Sequence, residues 1–397
     1  MFLKRIIFKQ LIYFFSFFIK TQKDKWIISL LKGGGGSSLP ENALFFCKHL
    51  KQKKIQFKYI SNLPIENLEK EHLKPFSLKY FFECIKSGVL IVENDLHNDI
   101  PAYRSNQTYK VHLFHGLALK KIYLSSPFTK NIFMRNFKNF LKKILVGFCF
   151  TDEYDLIVTS NKIHKTNYIK SFNNKNVEIL GQPRNDFLIK CEKKIIKNKL
   201  LNKIGFDNFS GKIISYLPTF RDTKFQGNLS ILENKKIKDF LIKNNCILLV
   251  KDHFFYENNY ANNYENEKKS YNNNNLFKLG NRFLTQEILA ITDVLITDYS
   301  GIYFDYLLMK KPIIYYCYDY AEYVKKNRDI DFDYFDEIIT PGPKVKSIEQ
   351  LIKSLEKNLT NFDYENYINQ SLIKFHQYND GGSCERLYNY ITKKLKD

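Results

Sequence analysis

Five short clusters of polar and turn-forming residues recur along the chain, each directly after an apolar run. They are His115-Gly116, Gly181-Gln-Pro-Arg184-Asn-Asp186, Pro218-Thr219-Phe-Arg221, Lys251-Asp-His253 and Thr297-Asp298-Tyr-Ser300-Gly301. Together they have the chemistry of a phosphate site. Arg184 and Arg221 can grip phosphate oxygens in a bidentate fork, and His115 and His253 can serve as a base for an incoming hydroxyl and a donor to phosphate oxygens. Ser300 is placed to cap a helix whose first N–H groups would point at an anion. Each cluster also has a structural alternative: a His-Gly turn, a Thr-Asp cap, an Arg184–Asp186 pair, a strand ended by Pro218. Five such clusters in register with five strand ends favour a site.

The apolar runs that deliver them read as strands. Asp293-Val-Leu-Ile, a helical Ser300 to Met309 and Pro312-Ile-Ile-Tyr-Tyr form a β-α-β unit. Further strand candidates are Val89 to Val92, Lys110 to Phe114, Leu156 to Thr159, Val177 to Leu180, Lys212 to Leu217 and Ile247 to Val250. Alternation of this kind predicts an α/β protein whose parallel sheets are covered by helices. Ligands of such sheets bind beyond the carboxyl ends of the strands, so the five clusters can converge on one interdomain cleft.

With 397 residues the chain suits two domains, and a Lys-rich stretch ending at Gly205 places the expected boundary between residues 204 and 205. A 44% hydrophobic, 16% aromatic composition excludes global disorder. The net charge of +21 calls for an anionic partner or reflects a Lys-, Asn- and Ile-rich composition. Seven cysteines stand singly, with no zinc-finger spacing, which predicts reduced thiols. At the N-terminus Arg5, Lys9, Ser16 and Lys20 share one stripe of an otherwise apolar helix. Residues 1–22 are therefore expected to lie on an anionic membrane surface, with packing on the protein's own core as the alternative. A second basic amphipathic helix is expected over Phe137 to Phe148, a flexible turn at Gly33-Gly-Gly-Gly, and a surface loop from Asn258 to Asn275.

The motifs are familiar in their order. His115-Gly-Leu-Ala-Leu-Lys120, Gly181-Gln-Pro-Arg-Asn-Asp186, Pro218-Thr-Phe-Arg221, Thr297-Asp-Tyr-Ser-Gly-Ile-Tyr-Phe-Asp305 and Asp380-Gly381-Gly-Ser-Cys-Glu-Arg386 resemble the CDP-glycerol glycerophosphotransferase family of teichoic-acid-type primases and polymerases. The resemblance implies a GT-B-like pair of Rossmann-like domains, an acceptor-side domain over 23–204 and a CDP-donor domain over 205–397, with the last helix able to pack back on the first. It implies His115 as base, His253 as its partner, with the reversed assignment as the alternative. Thr297, Asp298, Ser300 and Asp305 would border the donor, and Gly116, Lys120, Asp186, Thr219 and Gly301 belong to the same motifs. Three residues depart from the pattern: Phe254 stands where Pro is common after the second His, Gly301 where a second Ser is common, and Phe114 where Trp precedes His-Gly.

The function this implies is transfer of glycerol phosphate, or a related polyol phosphate, from CDP-glycerol to a lipid-linked or anionic polymeric acceptor, releasing CMP at the cytoplasmic membrane face. No tightly bound cofactor or metal is expected, though Mg²⁺ could assist the pyrophosphate. The rivals are a GT-B glycosyltransferase using a nucleotide sugar and a nucleic-acid-binding protein; no nucleic-acid-reading motif supports the latter.

Overall fold

The computed structural model describes residues 18–31, 39–75, 77–93, 107–122, 125, 154–219, 231–232, 234–251, 275–280, 283–326 and 330–397. Two all-parallel sheets organise them. The first has seven strands in the order β3-β2-β1-β4-β5-β6-β7: β1 (Gln22–Ser29), β2 (Lys58–Ile60), β3 (His72–Leu73), β4 (Ser87–Val92), β5 (Tyr109–His112), β6 (Leu156–Thr159) and β7 (Val177–Ile179). The second has six in the order β10-β9-β8-β11-β12-β13: β8 (Lys212–Tyr216), β9 (Cys246–Val250), β10 (Leu276–Lys278), β11 (Val294–Thr297), β12 (Ile313–Tyr316) and β13 (Lys344–Val345). In both, strand order reverses next to the first strand, at β1/β4 and β8/β11. Those reversals open the crevices where α/β sheets bind ligands.

The central strands are buried along their whole length, which is why β4, β9, β11 and β12 read as continuous apolar runs. Trp26, Ile28, Phe46, Val111 and Leu156 pack on one face of the first sheet, and Ile27, Leu90, Val92 and Tyr168 on the other. Helix starts follow local chemistry. Asn161 caps Lys162–Phe172 by accepting from His164 N, Asn234 caps Lys235–Lys243, and Ser347 caps Ile348–Thr360.

Several expectations change. The helices Asn185–Lys190 and Lys193–Lys203 precede the expected 204/205 boundary, yet their apolar faces pack on the second domain. Leu188 joins Leu217, Leu289 and Leu295, while Leu200, Leu201 and Ile204 join Ile213, Ile247 and Leu249. Leu180 still packs in the core of the first sheet, so the chain passes from one core to the other between Leu180 and Leu188. The chain returns at its end, where Cys384, Leu387 and Ile391 of helix Ser383–Lys396 enter the first domain's core. Ser300 to Met309 is not one helix but a five-residue α-helix, Ile302–Tyr306, followed by a 3-10 turn at Leu307–Met309. The expected helix over 1–22 does not reach its end: residues 18–20 form a turn, and Gln22 opens β1 against Ser87. Residues 1–17, the Gly33 turn, the Phe137 to Phe148 segment and 258–274 lie outside the described residues.

Candidate active site

β5 carries the chain to Phe114, His115 and Gly116. Phe114 (φ 54°) and Gly116 (φ 128°) both take left-handed conformations, an unusual one for a bulky aromatic residue, so the turn must be held by its surroundings. Four supports do so. Asn42 Nδ2 donates to Phe114 O (2.9 Å), Arg184 Nη1 to His115 O (2.9 Å), Tyr168 Oη to Gly116 O (2.9 Å) and His164 Nε2 to Ala118 O (3.0 Å). Phe114 and the two leucines that follow, Leu117 and Leu119, are buried, the leucines among Tyr299, Tyr303 and Phe304 of the second domain. His115 itself is exposed, its ring 4.1 Å from that of Phe114. The backbone is fixed and the imidazole is presented at the domain junction. Lys120 leads away from it, its ammonium 5.0 Å from the Tyr323 ring.

His164 is buried, and burial pushes its pKa down to about 4 despite its bond to the Ala118 carbonyl. His376, buried with its Nε2 2.6 Å from Phe304 O, is lowered for the same reason. Both are neutral pins behind the site.

On the other side, Thr297 Oγ1 donates to Leu217 O (2.9 Å) and Asp298 Oδ1 accepts from Thr219 N (2.8 Å), which joins the ends of β8 and β11 at their reversal. Thr297, Asp298 and Thr219 are buried in this work. Tyr299 is held by Asp319 (2.9 Å) and stacks on Tyr323. Ser300 is one residue before the helix N-cap, which is Gly301, and its Oγ accepts from Ile302 N at 3.3 Å. A helix this short has little macrodipole, so the anion-binding role expected of it rests on Ser300 and the turn alone. A Cβ on Gly301 would stand 2.2 Å from Leu117 O. The His115 loop and the Ser300 turn therefore touch across the domain boundary.

Arg184, Asp186, Asp380, Gly381 and Arg386 lie apart from both turns or beneath them. Arg184 pairs with Asp305 (2.6 Å), not with Asp186, and both partners are buried. Burial works against its charge, but Asp305, with Glu93 and Glu41, outweighs it and raises its pKa. Asp186 instead accepts from Ser383 N and Cys384 N (2.8 Å each) and so caps the last helix. Arg386 donates from Nε to Leu180 O (3.0 Å) and from Nη1 to Asp380 (2.8 Å), while Gly381 turns the chain at φ 69°. These two motifs bind each other where the chain leaves the first domain and returns to it.

A family model described as CDP-Glycerol:Poly(glycerophosphate) glycerophosphotransferase matches residues 13–393. The chain belongs to this family. It is 28% identical over 333 residues to the teichoic acid poly(glycerol phosphate) polymerase of Bacillus spizizenii, covering 81% of this chain and 79% of the relative. It is 33% identical over 245 residues to the teichoic acid poly(ribitol-phosphate) polymerase of the same species, covering 60% of this chain but spanning only 37% of that longer protein. The solved wall teichoic acid polymerase TagF superposes with a TM-score of 0.71 at 18% identity, over 95% of this chain and 90% of its own, which establishes the GT-B-type fold.

In this member of the glycerophosphotransferase family the structure brings His115, Gly116, Ser300, Gly301, Arg184 and Asp305 together. Arg221 and His253 lie outside the described residues. Among the described residues no cluster of His, Cys, Asp or Glu could hold a metal ion, and no helix is long and apolar enough to cross a membrane. Sequence reasoning missed Asn42, Glu41 and Gln286. Glu41 accepts from Thr285 N (2.7 Å) and Gln286 N (3.0 Å), capping a helix of the other domain. A Glu directly after Pro40 reads as the first turn of its own helix, so nothing local signalled a partner 244 residues away.

Proposed function

We propose that the chain transfers a polyol phosphate, glycerol phosphate in the first instance, from a CDP-linked donor to a lipid-linked or polymeric acceptor, as part of teichoic-acid-like polymer synthesis. The observation that carries this reading is the exposed His115 on a turn locked by four side chains and pressed against the Ser300–Gly301 turn of the donor-side domain. In the proposed step His115 takes the proton of an acceptor hydroxyl as that oxygen attacks the β-phosphorus. The P–O bond to the α-phosphate breaks, and CMP leaves with the bridging oxygen. Ser300 and the strand ends at Thr219 and Asp298 border the donor, with Arg221 and His253 as further phosphate contacts.

Work at the inner membrane face is part of this reading, supported by the basic stripe of the N-terminal segment, and deleting residues 1–20 should release protein from anionic vesicles. The polyol is tested by supplying CDP-glycerol, CDP-ribitol and a panel of UDP-sugars with membrane extract. CMP released from CDP-glycerol supports the reading. UDP released from a nucleotide sugar, with no CMP, would make the protein a glycosyltransferase.

A further inference from the structure

We propose that Arg184 is a positioning residue: it transmits the place of the Asp305 carboxylate in the second domain to the backbone of His115 in the first, and does not bind donor phosphate. Both terminal nitrogens of the guanidinium are already committed, while Nε is buried without a partner among the described residues. Nη1 donates to His115 O at 2.9 Å and Nη2 lies 2.6 Å from Asp305 Oδ2. A planar guanidinium fixes the angle between its two donors, so a shift of one acceptor is passed to the other.

The pair belongs to a closed circuit that crosses the domain boundary twice. Arg184 N donates to Asn42 Oδ1 (3.1 Å), and the neighbouring Glu41 accepts from Gln286 N (3.0 Å). Gln286 Nε2 donates to Asp305 Oδ2 (2.8 Å), and Asp305 returns to Arg184. Asn42 also holds Phe114 O, so the carbonyls before and at His115 are both set by members of one circuit. Gly116 fits the same account. A Cβ there would meet Arg184 Nη2 at 2.4 Å, so the glycine makes room for the guanidinium. All five members are buried, which makes each unpaired state costly and the circuit cooperative.

This inference rests on the proposed role of His115, and the test separates the two. Arg184→Lys keeps the charge but lacks the planar fork that fixes two acceptors relative to each other, and Asp305→Asn keeps the shape but not the charge; both are made singly and together in the full chain. With CDP-glycerol, kcat should fall about 10- to 100-fold in each single variant, donor Kd should stay within about threefold, and the double variant should be no worse than the poorer single one. Hydrogen exchange should rise at residues 113–119 in both. If Arg184→Lys weakens CDP-glycerol binding tenfold or more while Asp305→Asn does not, Arg184 is a phosphate ligand and the inference is overturned. Unchanged kcat with only a lower Tm also overturns it. Should either variant fail to fold, Glu41→Gln weakens the circuit from its far side and must show the same kcat loss at constant Kd. If the wild-type chain releases no CMP at all, the functional reading fails, and the exchange comparison still decides whether Arg184 and Asp305 hold the His115 loop.

Discussion

The crossover and the facing turns are both built from polar motifs at the boundary between the domains, yet they spend their polar groups differently. At the crossover the side chains are consumed by one another: Asp186 caps Ser383 and Cys384, Arg386 ties Leu180 to Asp380, and a Cβ on Gly181 would meet Ser383 Oγ at 2.3 Å. At the His115 turn it is the backbone that is consumed, through Asn42, Arg184, Tyr168 and His164, and the His115 side chain is left at the surface. The crossover thus spends its side chains on holding the fold, whereas the His115 turn is held through its carbonyls, the arrangement expected of a side chain positioned by its supports.

The comparison breaks most sharply at His115. His115→Ala should lower turnover by about 10² to 10⁴ while donor affinity and Tm stay near wild type, checked by kinetics and calorimetry on one preparation. A variant keeping more than about a tenth of wild-type turnover would remove His115 from the base role.

The next effect belongs to the pins behind the turn. His164 is neutral in the fold with its pKa near 4, against about 6.5 in an unfolded chain. The unfolded state therefore takes up the proton first as pH falls. The contribution of His164 is complete above about pH 6.5 and is lost as pH drops through 6.5 toward 4, on the order of 3 kcal/mol in all. Urea unfolding at pH 7 and pH 4.5 should show a steeper loss in wild type than in His164→Gln.

Asp186→Ala tests the crossover. Loss of a buried cap to two N–H groups should cost about 1 to 3 kcal/mol and lower Tm, with kcat per folded molecule nearly unchanged. A large loss of kcat at unchanged Tm would place Asp186 with the donor and dissolve the distinction. Asp380→Asn gives the smallest effect. The Asp380 carboxylate is more than half exposed, so its pair with Arg386 is worth below about 1 kcal/mol, and Tm should barely move.

Much of this was legible beforehand. β4, β5, β6, β7, β8, β9, β11 and β12 coincide with the apolar runs because strands of a buried parallel sheet must be apolar on both faces. The short strands β2, β3, β10 and β13 were not legible, since two or three residues carry no period; β7, equally short, was legible only with the Gly181-Gln-Pro turn that follows it. A Lys-rich helix and a left-handed Gly205 look like a linker, whereas Leu200 and Leu201 pack under the second sheet, a burial that no local pattern signals.

By residue type and order alone the sequence determined the α/β class, the position of the polar clusters at strand ends, and the family. Which partner each polar side chain meets was decided only by tertiary structure. Arg184 has the side chain of a phosphate site, Asp186 and Arg386 stand in the family's motifs, and whether any of them meets a ligand depends on what the fold places beside it. For Arg184 it places Asp305, for Asp186 the N–H groups of Ser383 and Cys384, and for Arg386 Asp380 and the Leu180 carbonyl. Apart from Asp380, six residues from Arg386, these partners are distant in the chain and leave no trace in local spacing, because a side chain's donors and acceptors are the same whichever partner satisfies them.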